Sequence, residues 1–317
     1  MVAFLIRRFV GMILVLIAVS FIVYLIFIVI PGGDPAQRIA GRVATPANIA
    51  SIKHQLGLDQ NIFVQWFKMV KSLLSGTLVS YYNQTNVVQQ IKQGIPATFS
   101  LCIGAGMIWL FFGVLVGTIS AIRAGRVADR LITALALIGI SLPAAWLGLV
   151  LLYLFAENGW GSWFPPGGYV PLTQDPVQWA YHLILPWLTL AVLFIGFYGR
   201  VLRSNILDTI NEDFVRTAKA KGLSSQRIIV KHVLRASLIP IVTLFGLDFA
   251  AVLGGGAIIT ETVYNVQGVG WYAAKAIGQQ DLPPLMGVTL YGAAFIVVFS
   301  TLIDIAYAYL DPRIRLT

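Results

Sequence analysis

The stretch FSLCIGAGMIWLFFGVLVGTISAI, which runs from Phe99 to Ile122, contains 24 residues and no charge. About 20 consecutive apolar residues are enough for a helix to cross the hydrocarbon core of a membrane. Inside lipid the backbone must satisfy its own hydrogen bonds, and this run is continuous rather than alternating. It therefore predicts a membrane-spanning helix and not a strand of a barrel.

Five similar runs lie before and after this stretch. Only two charges, Asp248 and Asp304, interrupt them. The first run is longer than the apolar part of a cleaved signal peptide, so we interpret it as a retained anchor. The expected fold class is an all-α membrane protein with six transmembrane helices. The five further runs are Phe9–Ile30, Leu131–Ala156, Leu183–Gly199, Ala236–Thr260 and Leu285–Ala308.

The composition agrees with a membrane protein. Of the 317 residues, 58% are hydrophobic and 11% are charged, whereas an ordinary soluble domain has about 25% charged residues. This composition argues against a soluble enzyme, and it excludes a disordered chain, which needs low hydrophobicity. The single cysteine, Cys102, excludes an intrachain disulfide and a cysteine-based zinc site.

Sequence motifs for catalysis and for nucleotide binding are missing. The sequence contains no G-x-x-x-x-G-K-[ST] phosphate loop, no H-E-x-x-H and no G-x-S-x-G. The three histidines, at positions 54, 182 and 232, belong to different segments. We therefore expect no catalytic residue, no metal site and no cofactor bound by this chain.

The placement of Lys and Arg predicts the orientation of the chain. With the N-terminus inside, 15 of the 22 Lys and Arg residues fall on the cytoplasmic side, where positive charge accumulates. Both termini are therefore expected to be cytoplasmic. We expect an anchor at 1–30, an extracytoplasmic subdomain with short helices at 31–98, and a core at 99–317 that contains the cytoplasmic loop 200–235.

The cytoplasmic loop predicts two short helices with a sharp turn between them. Asn211 can cap a helix over Glu212–Lys221, Gly222 can end it, and Ser224 can cap the second helix. The first helix mixes the apolar Phe214, Val215 and Ala218 with charges, which suits docking into another protein. A solvated connector is the alternative interpretation.

Asp248 needs a separate explanation because a charge inside a membrane is costly and usually faces a cavity or a partner. It could line a pathway and meet an ammonium group or a polar substrate. It could also form a buried hydrogen bond to a neighbouring helix. Asp304 lies nearer the inner end of its run, where we expect an ion pair with Arg or Lys at the surface.

Residues 212–224, EDFVRTAKAKGLS, resemble the cytoplasmic EAA loop of membrane subunits in bacterial ABC importers. The general pattern has Glu-Ala-Ala where this chain has Arg216, Thr217 and Ala218, and Pro where it has Arg235. These departures favour the oligopeptide and dipeptide permeases, of the first-permease branch, over branches for sugars or metal oxyanions. Further similar segments extend over the whole chain: RR at 7–8, PGGDP at 31–35, LGLDQ at 56–60, ISLP at 140–143, WLG at 146–148, ETVY at 261–264, GVG at 268–270 and LDPRIR at 310–315.

The resemblance implies a type I ABC importer permease fold in the bacterial inner membrane. It also implies a second homologous permease subunit, two ATP-binding subunits that use ATP and Mg, and an extracytoplasmic peptide-binding protein. The chain itself is expected to contact lipid and no nucleic acid, and to act as a transport subunit rather than an enzyme. The implied substrates are di- and oligopeptides. The alternatives are nickel, opines or another small solute and, from a different class, a stand-alone secondary transporter.

The resemblance also assigns candidate functional residues. The helix after the fourth span would lodge in a groove of an ATPase and couple its movement to the membrane helices. We expect the coupling residues to be Glu212, Asp213, Phe214, Arg216, Thr217, Ala218, Lys221 and Gly222. We expect Asp248, Ser141, Pro143 and Trp146 to line the translocation pathway.

Overall fold

The computed structural model describes residues 2–29, 36–37, 45–57, 59–156 and 162–310. In these residues the regular structure is helical, and the only β-type pairings are two isolated bridges, so the all-α class is confirmed. The PGGDP segment and positions 311–315 lie outside the described residues, and so does the side chain of Asp304. The chain divides into two compact units, residues 1–98 with 253–258 and 267–317, and residues 99–252 with 259–266.

The helices of the described residues, in chain order, include short π-helical stretches at 25–29, 229–233 and 252–256. The short helices expected within residues 31–98 are observed as α2 and α3. The helices are α1 (Val2–Tyr24), α2 (Pro46–Leu56), α3 (Ile62–Leu74), α4 (Val87–Ile122), α5 (Val127–Ser141), α6 (Ala144–Phe155), α7 (Pro176–Thr209), α8 (Asp213–Ala220), α9 (Ser225–Ile228), α10 (Leu234–Ala251), α11 (Ile258–Val263), α12 (Val269–Gln279) and α13 (Leu282–Leu310).

Among the residues that the structure describes, five helical segments are long and apolar enough to cross a membrane, and a sixth is obtained if the bent pair α5 and α6 forms one span. The prediction of one continuous helix over Leu131–Ala156 is wrong, because α5 and α6 meet at an angle of 103°. Pro143 has no N–H to donate and disfavours helical geometry at the preceding residue. Leu142 is accordingly extended, with φ −76° and ψ 128°.

Two further helix boundaries differ from the predicted ones. The run that starts at Phe99 belongs to a helix that begins at Val87, where the Asn86 side chain accepts the Gln89 N–H at 2.9 Å. The first turns of this helix are polar, so hydropathy alone did not predict where it starts. The run Ala236–Thr260 is interrupted at Gly255, whose φ of 145° is not helical, and α11 follows as a separate short helix.

Side-chain hydrogen bonds fasten the segment between α1 and α4 to the ends of spans within the first unit. Tyr24 donates to Gln65 at 2.6 Å, and the Trp66 indole donates to Ser20 at 3.1 Å, so α3 is held against α1. The buried Asp281 carboxylate, just before α13, accepts the Ser80 hydroxyl and the Tyr81 and Tyr82 N–H groups. These bonds position the segment between α3 and α4.

Glycines allow close helix contacts in the second unit. A Cβ added at Gly117 would lie 2.7 Å from the Gly199 carbonyl oxygen, and one added at Gly113 would lie 2.7 Å from the Tyr198 Cβ. Real Cβ atoms do not approach so closely, so α4 and α7 pack together through these small residues. The expectation that Gly113 and Gly117 allow close packing is confirmed.

Candidate functional site

Helix α8 has a buried side and an exposed side. Val215 and Ala218 are 0% and 6% exposed, whereas Phe214 is 45% exposed. Phe214 is the one large apolar side chain on the exposed side of this short helix, which makes it the candidate anchor for another protein. The exposed side also contains Glu212, Asp213, Arg216, Thr217 and Lys221.

The burial of Ala218 separates it from the other predicted coupling residues. Its side chain packs inside this chain together with Val215, so it anchors α8 and is not part of the exposed surface. The Leu223 N–H returns to the Ala218 carbonyl at 3.3 Å, which closes the end of the helix. The remaining candidates therefore divide into an exposed surface and the turn at Gly222.

The ends of α8 correct one predicted cap and confirm one predicted stop. Asn211 does not cap the helix, because its amide donates back to the Leu207 carbonyl at 3.0 Å. The N-cap position is Glu212, which has extended backbone and makes no side-chain capping bond. At the other end Gly222 has a φ of +76°, and its N–H donates to the Lys219 carbonyl at 2.9 Å.

The charges on the exposed side of α8 are weakly engaged within the chain. Arg216 lies 3.5 Å from Asp213, and both side chains are largely exposed. The Thr217 hydroxyl donates to the Asp213 carbonyl at 3.0 Å. Exposed ion pairs of this kind stabilise a protein by about 0–1 kcal/mol, so Arg216 can leave Asp213 for another partner at little cost.

A polar contact joins the two long helices on either side of the α8 loop. Ser237 of α10 is buried, and its hydroxyl lies 3.1 Å from the Thr209 hydroxyl and 3.3 Å from the Asn205 carbonyl of α7. The Asn205 amide donates to the Ser237 carbonyl at 3.4 Å. Sequence reasoning missed this contact, although Asn205 and Thr209 are four residues apart on one helix face.

A second contact that the sequence did not reveal connects α5 with α7. Arg203 donates through Nε and Nη2 to the two oxygens of Asp129, at 2.8 and 2.7 Å. Asp129 is buried and also accepts the Ser120 hydroxyl and the Gly125 N–H. The available signal was that Asp129, in the first turn of α5, is the only acid in the arginine-rich stretch 123–130.

The predicted pathway residues Ser141, Pro143 and Trp146 lie together at the bend between α5 and α6. All three are exposed, Trp146 by 52%. The Ser141 hydroxyl donates to the Leu137 carbonyl of its own helix at 2.9 Å. Backbone that is not helical within a membrane must be covered by protein or line a water-filled cavity.

Asp248 is the fourth predicted pathway residue. It is partly exposed and accepts the Tyr198 hydroxyl of α7 at 2.8 Å. The expected hydrogen bond to a neighbouring helix is therefore confirmed. A carboxylate can accept about four hydrogen bonds, so this contact leaves most of its capacity unused. In the described residues no hydrogen bond or ion pair joins Asp248 to Ser141 or Trp146.

Tyr264, the last residue of the ETVY segment, forms buried hydrogen bonds within the second unit. Tyr264 is buried, and its hydroxyl lies 2.7 Å from the Thr189 hydroxyl and 3.2 Å from the Gly148 carbonyl. Burial raises the pKa of the Tyr264 hydroxyl to about 12, so it remains protonated and can donate. The Gly168 N–H donates to the Tyr264 carbonyl at 2.8 Å, which fixes the irregular loop beside it.

Comparisons with known proteins match the chain along its whole length. A family model described as a binding-protein-dependent transport system inner membrane component matches residues 113–316, and the model of its N-terminal part matches residues 1–102. A probable peptide ABC transporter permease protein, y4tP, of Sinorhizobium fredii is 36% identical over 98% of this chain and 99% of the relative.

Two further relatives carry more specific names. The probable D,D-dipeptide transport system permease protein DdpB of Escherichia coli is 36% identical over 96% of this chain and 95% of its own length. The glutathione transport system permease protein GsiC of Salmonella typhimurium is 35% identical over 99% of both chains. Together with the apolar helices, these matches show that this multi-pass inner membrane protein belongs to the family of binding-protein-dependent transport system inner membrane components, the permease subunits of ABC importers.

Proposed function

We propose that this permease translocates peptides and that α8 couples it to ATP-binding partner subunits. The names of the relatives, which specify peptide, D,D-dipeptide and glutathione transport, support the substrate class. In the proposed assembly this chain pairs with a second homologous permease and two ATP-binding subunits. An extracytoplasmic peptide-binding protein delivers the substrate.

The observation that carries the coupling proposal is the two-sided structure of α8. Val215 and Ala218 hold the helix to the chain, and Phe214 projects from its other side. We assign contact with the ATPase to the exposed surface and the shape of the turn to Gly222. The contact surface consists of Glu212, Asp213, Phe214, Arg216, Thr217 and Lys221.

The proposed cycle is alternating access between two states of the permease. ATP and Mg act on the partner subunits, and this chain binds no cofactor. Closure of the ATPases moves the α8 helices and shifts the balance towards the outward-open state, and hydrolysis reverses it. Because α8 is held through buried side chains, it transmits a displacement instead of swinging freely.

For the pathway we propose the bend between α5 and α6, together with Asp248. The bend exposes Ser141, Pro143 and Trp146 at membrane depth, which is tolerated where protein covers the backbone or water reaches it. Asp248 has free acceptor capacity within an apolar span, where ionisable groups commonly face a pathway. Both features suit a route for a polar substrate.

The coupling proposal is tested with Phe214→Ala in the assembled transporter. Uptake and substrate-stimulated ATP hydrolysis should fall together, while membrane insertion is retained, because Phe214 is exposed and outside the apolar runs. Phe67→Ala is the matched control, since Phe67 of α3 is also an exposed phenylalanine, at 62%. Equal uptake by both variants at equal expression would refute the proposed contact.

The substrate class is tested on the binding protein that co-purifies with the complex. Its bound ligand is released and identified by mass spectrometry. A peptide supports the proposal, whereas nickel, an opine or another small solute replaces peptides as the substrate class. Transport that survives ATP depletion and stops when the proton gradient collapses would indicate a secondary transporter instead.

A further inference from the structure

A cavity of about 150 Å³ lies between α4, α5 and α7. We propose that it binds the phosphate group of an anionic membrane phospholipid. Its wall has an apolar part and a polar part that contains two arginines. The apolar part includes Val116, Ile132 and Ala136, and the polar part includes Thr133, Arg200 and Arg203.

The charges at the cavity favour an anion. Arg203 is held in place by its two bonds to Asp129, which also balances its charge. Arg200 is exposed and forms no ion pair or hydrogen bond with another described residue. The cavity therefore has one uncompensated guanidinium beside a fixed one. Guanidinium groups match the geometry of phosphate oxygens and bind them through paired N–H groups.

The size of the cavity limits the ligand to a small group. A water molecule occupies about 30 Å³ in the liquid, so 150 Å³ corresponds to about five waters. This space accepts a phosphate with its ester oxygens. It is too small for a nucleotide, since pockets for ligands of that size measure roughly 300–1,000 Å³.

The position of the cavity along the helices points to lipid as the source of the phosphate. The uncharged run of α4 ends at Ile122, that of α5 begins at Leu131, and that of α7 ends at Gly199. The cavity thus lies where all three helices pass from hydrocarbon to headgroup depth. Basic pockets between spans at this depth bind anionic headgroups. The exposed Leu115 and Leu135 give α4 and α5 apolar surface for acyl chains.

The test measures lipid retention by the intact transporter complex. The complex is reconstituted with phosphatidylglycerol or phosphatidylcholine, washed in detergent, and its bound lipid is counted by native mass spectrometry. Phosphatidylglycerol should be retained preferentially, and Arg200→Gln should reduce its retention roughly tenfold or more, because a charge-assisted contact is lost. Arg227→Gln, an exposed arginine that does not line the cavity, is the control and should retain the lipid.

Several results would overturn the proposal. One is equal loss of lipid in the Arg200 and Arg227 variants, and another is equal retention of the two lipids by the unmodified complex. Inorganic phosphate is added in a separate arm, and binding of phosphate without retained lipid would assign the site to a free anion. If Arg200→Gln prevents assembly, Arg200→Lys preserves the charge without the planar fork and should give intermediate retention. Full retention by the lysine variant would contradict the proposed guanidinium contact.

Discussion

Replacement of Gly222 by proline should disconnect ATP hydrolysis from transport while the permease still inserts and assembles. Gly222 has a φ of +76° and donates its N–H to the Lys219 carbonyl at 2.9 Å. Proline fixes φ near −65° and has no N–H. The residue would have to rotate by about 140°, so the turn after α8 cannot keep its shape.

The structure also predicts a graded series at this position. A Cβ at Gly222 meets nothing within 4 Å, so alanine costs only the backbone strain of the left-handed region, about 1–2 kcal/mol. Asparagine tolerates that region better and should behave almost like glycine. Proline adds the lost hydrogen bond and the incompatible φ, for a total of roughly 3 kcal/mol or more. The cost falls on an exposed turn and leaves the spans intact.

The assay compares the three Gly222 variants in proteoliposomes at equal amounts of assembled complex. Uptake should decrease in the order Asn, Ala, Pro, and substrate-stimulated ATP hydrolysis should become uncoupled from uptake in the proline variant. Undiminished uptake by the proline variant would refute the requirement for this turn. Equal failure of all three variants would show that the position needs glycine for a reason other than its φ.

Three other substitutions, one of them with a matched control, have defined outcomes. Asp129→Ala should lower the free energy of unfolding of the detergent-purified chain by about 2–4 kcal/mol. This loss is somewhat below the usual one for a broken buried ion pair because the Arg203 side chain is 31% exposed. Thermal unfolding measures the change. Gly117→Ala should destabilise the chain by about 1–3 kcal/mol because the added methyl group overpacks the contact with α7. Gly278→Ala is the control, since a Cβ there has open space around it and should cost no stability. The same unfolding assay compares the two variants. Asp248→Asn keeps an acceptor for the tyrosine hydroxyl but removes the charge, so uptake should fall while insertion and assembly are unchanged; unchanged uptake would leave Asp248 a purely structural role.

Hydropathy and local turn chemistry were sufficient for the class of fold and for α8. The apolar runs predict helices because lipid permits little else, and Gly222 marks the end of α8 by its left-handed backbone. The bend at Pro143 was missed because the run from Leu131 to Ala156 is uncharged throughout, and a hydropathy argument does not take account of how proline bends a helix. The early start of α4 was missed because its first turns are polar.

Contacts between residues that are far apart in the sequence could not be predicted from local patterns. Asp129 and Arg203 are separated by 74 positions, and only the packing of α5 on α7 brings them together. Ala218 is similar, because its small side chain fits a docking surface and a buried contact equally well. Its burial follows from where α8 lies against the chain, which no local pattern of residues specifies.

The length of α7 has a mechanical consequence. Its 34 residues form a helix about 51 Å long that contains Pro186. A Cβ added at Gly196 would clash with the Ala136 carbonyl of α5, and Gly199 packs on α4, so the close contacts of α7 are off centre. These contacts lie about 15–20 Å from the Thr209 end and about 30–35 Å from the Pro176 end. Pro186 has no N–H to donate and weakens the helix about 15–20 Å from these contacts, so the arm on that side is about as long as the arm towards Thr209. A displacement beside α8 therefore reaches Pro186 at about its full size. A movement at the α8 end of α7 can thus be carried into the middle of the same helix.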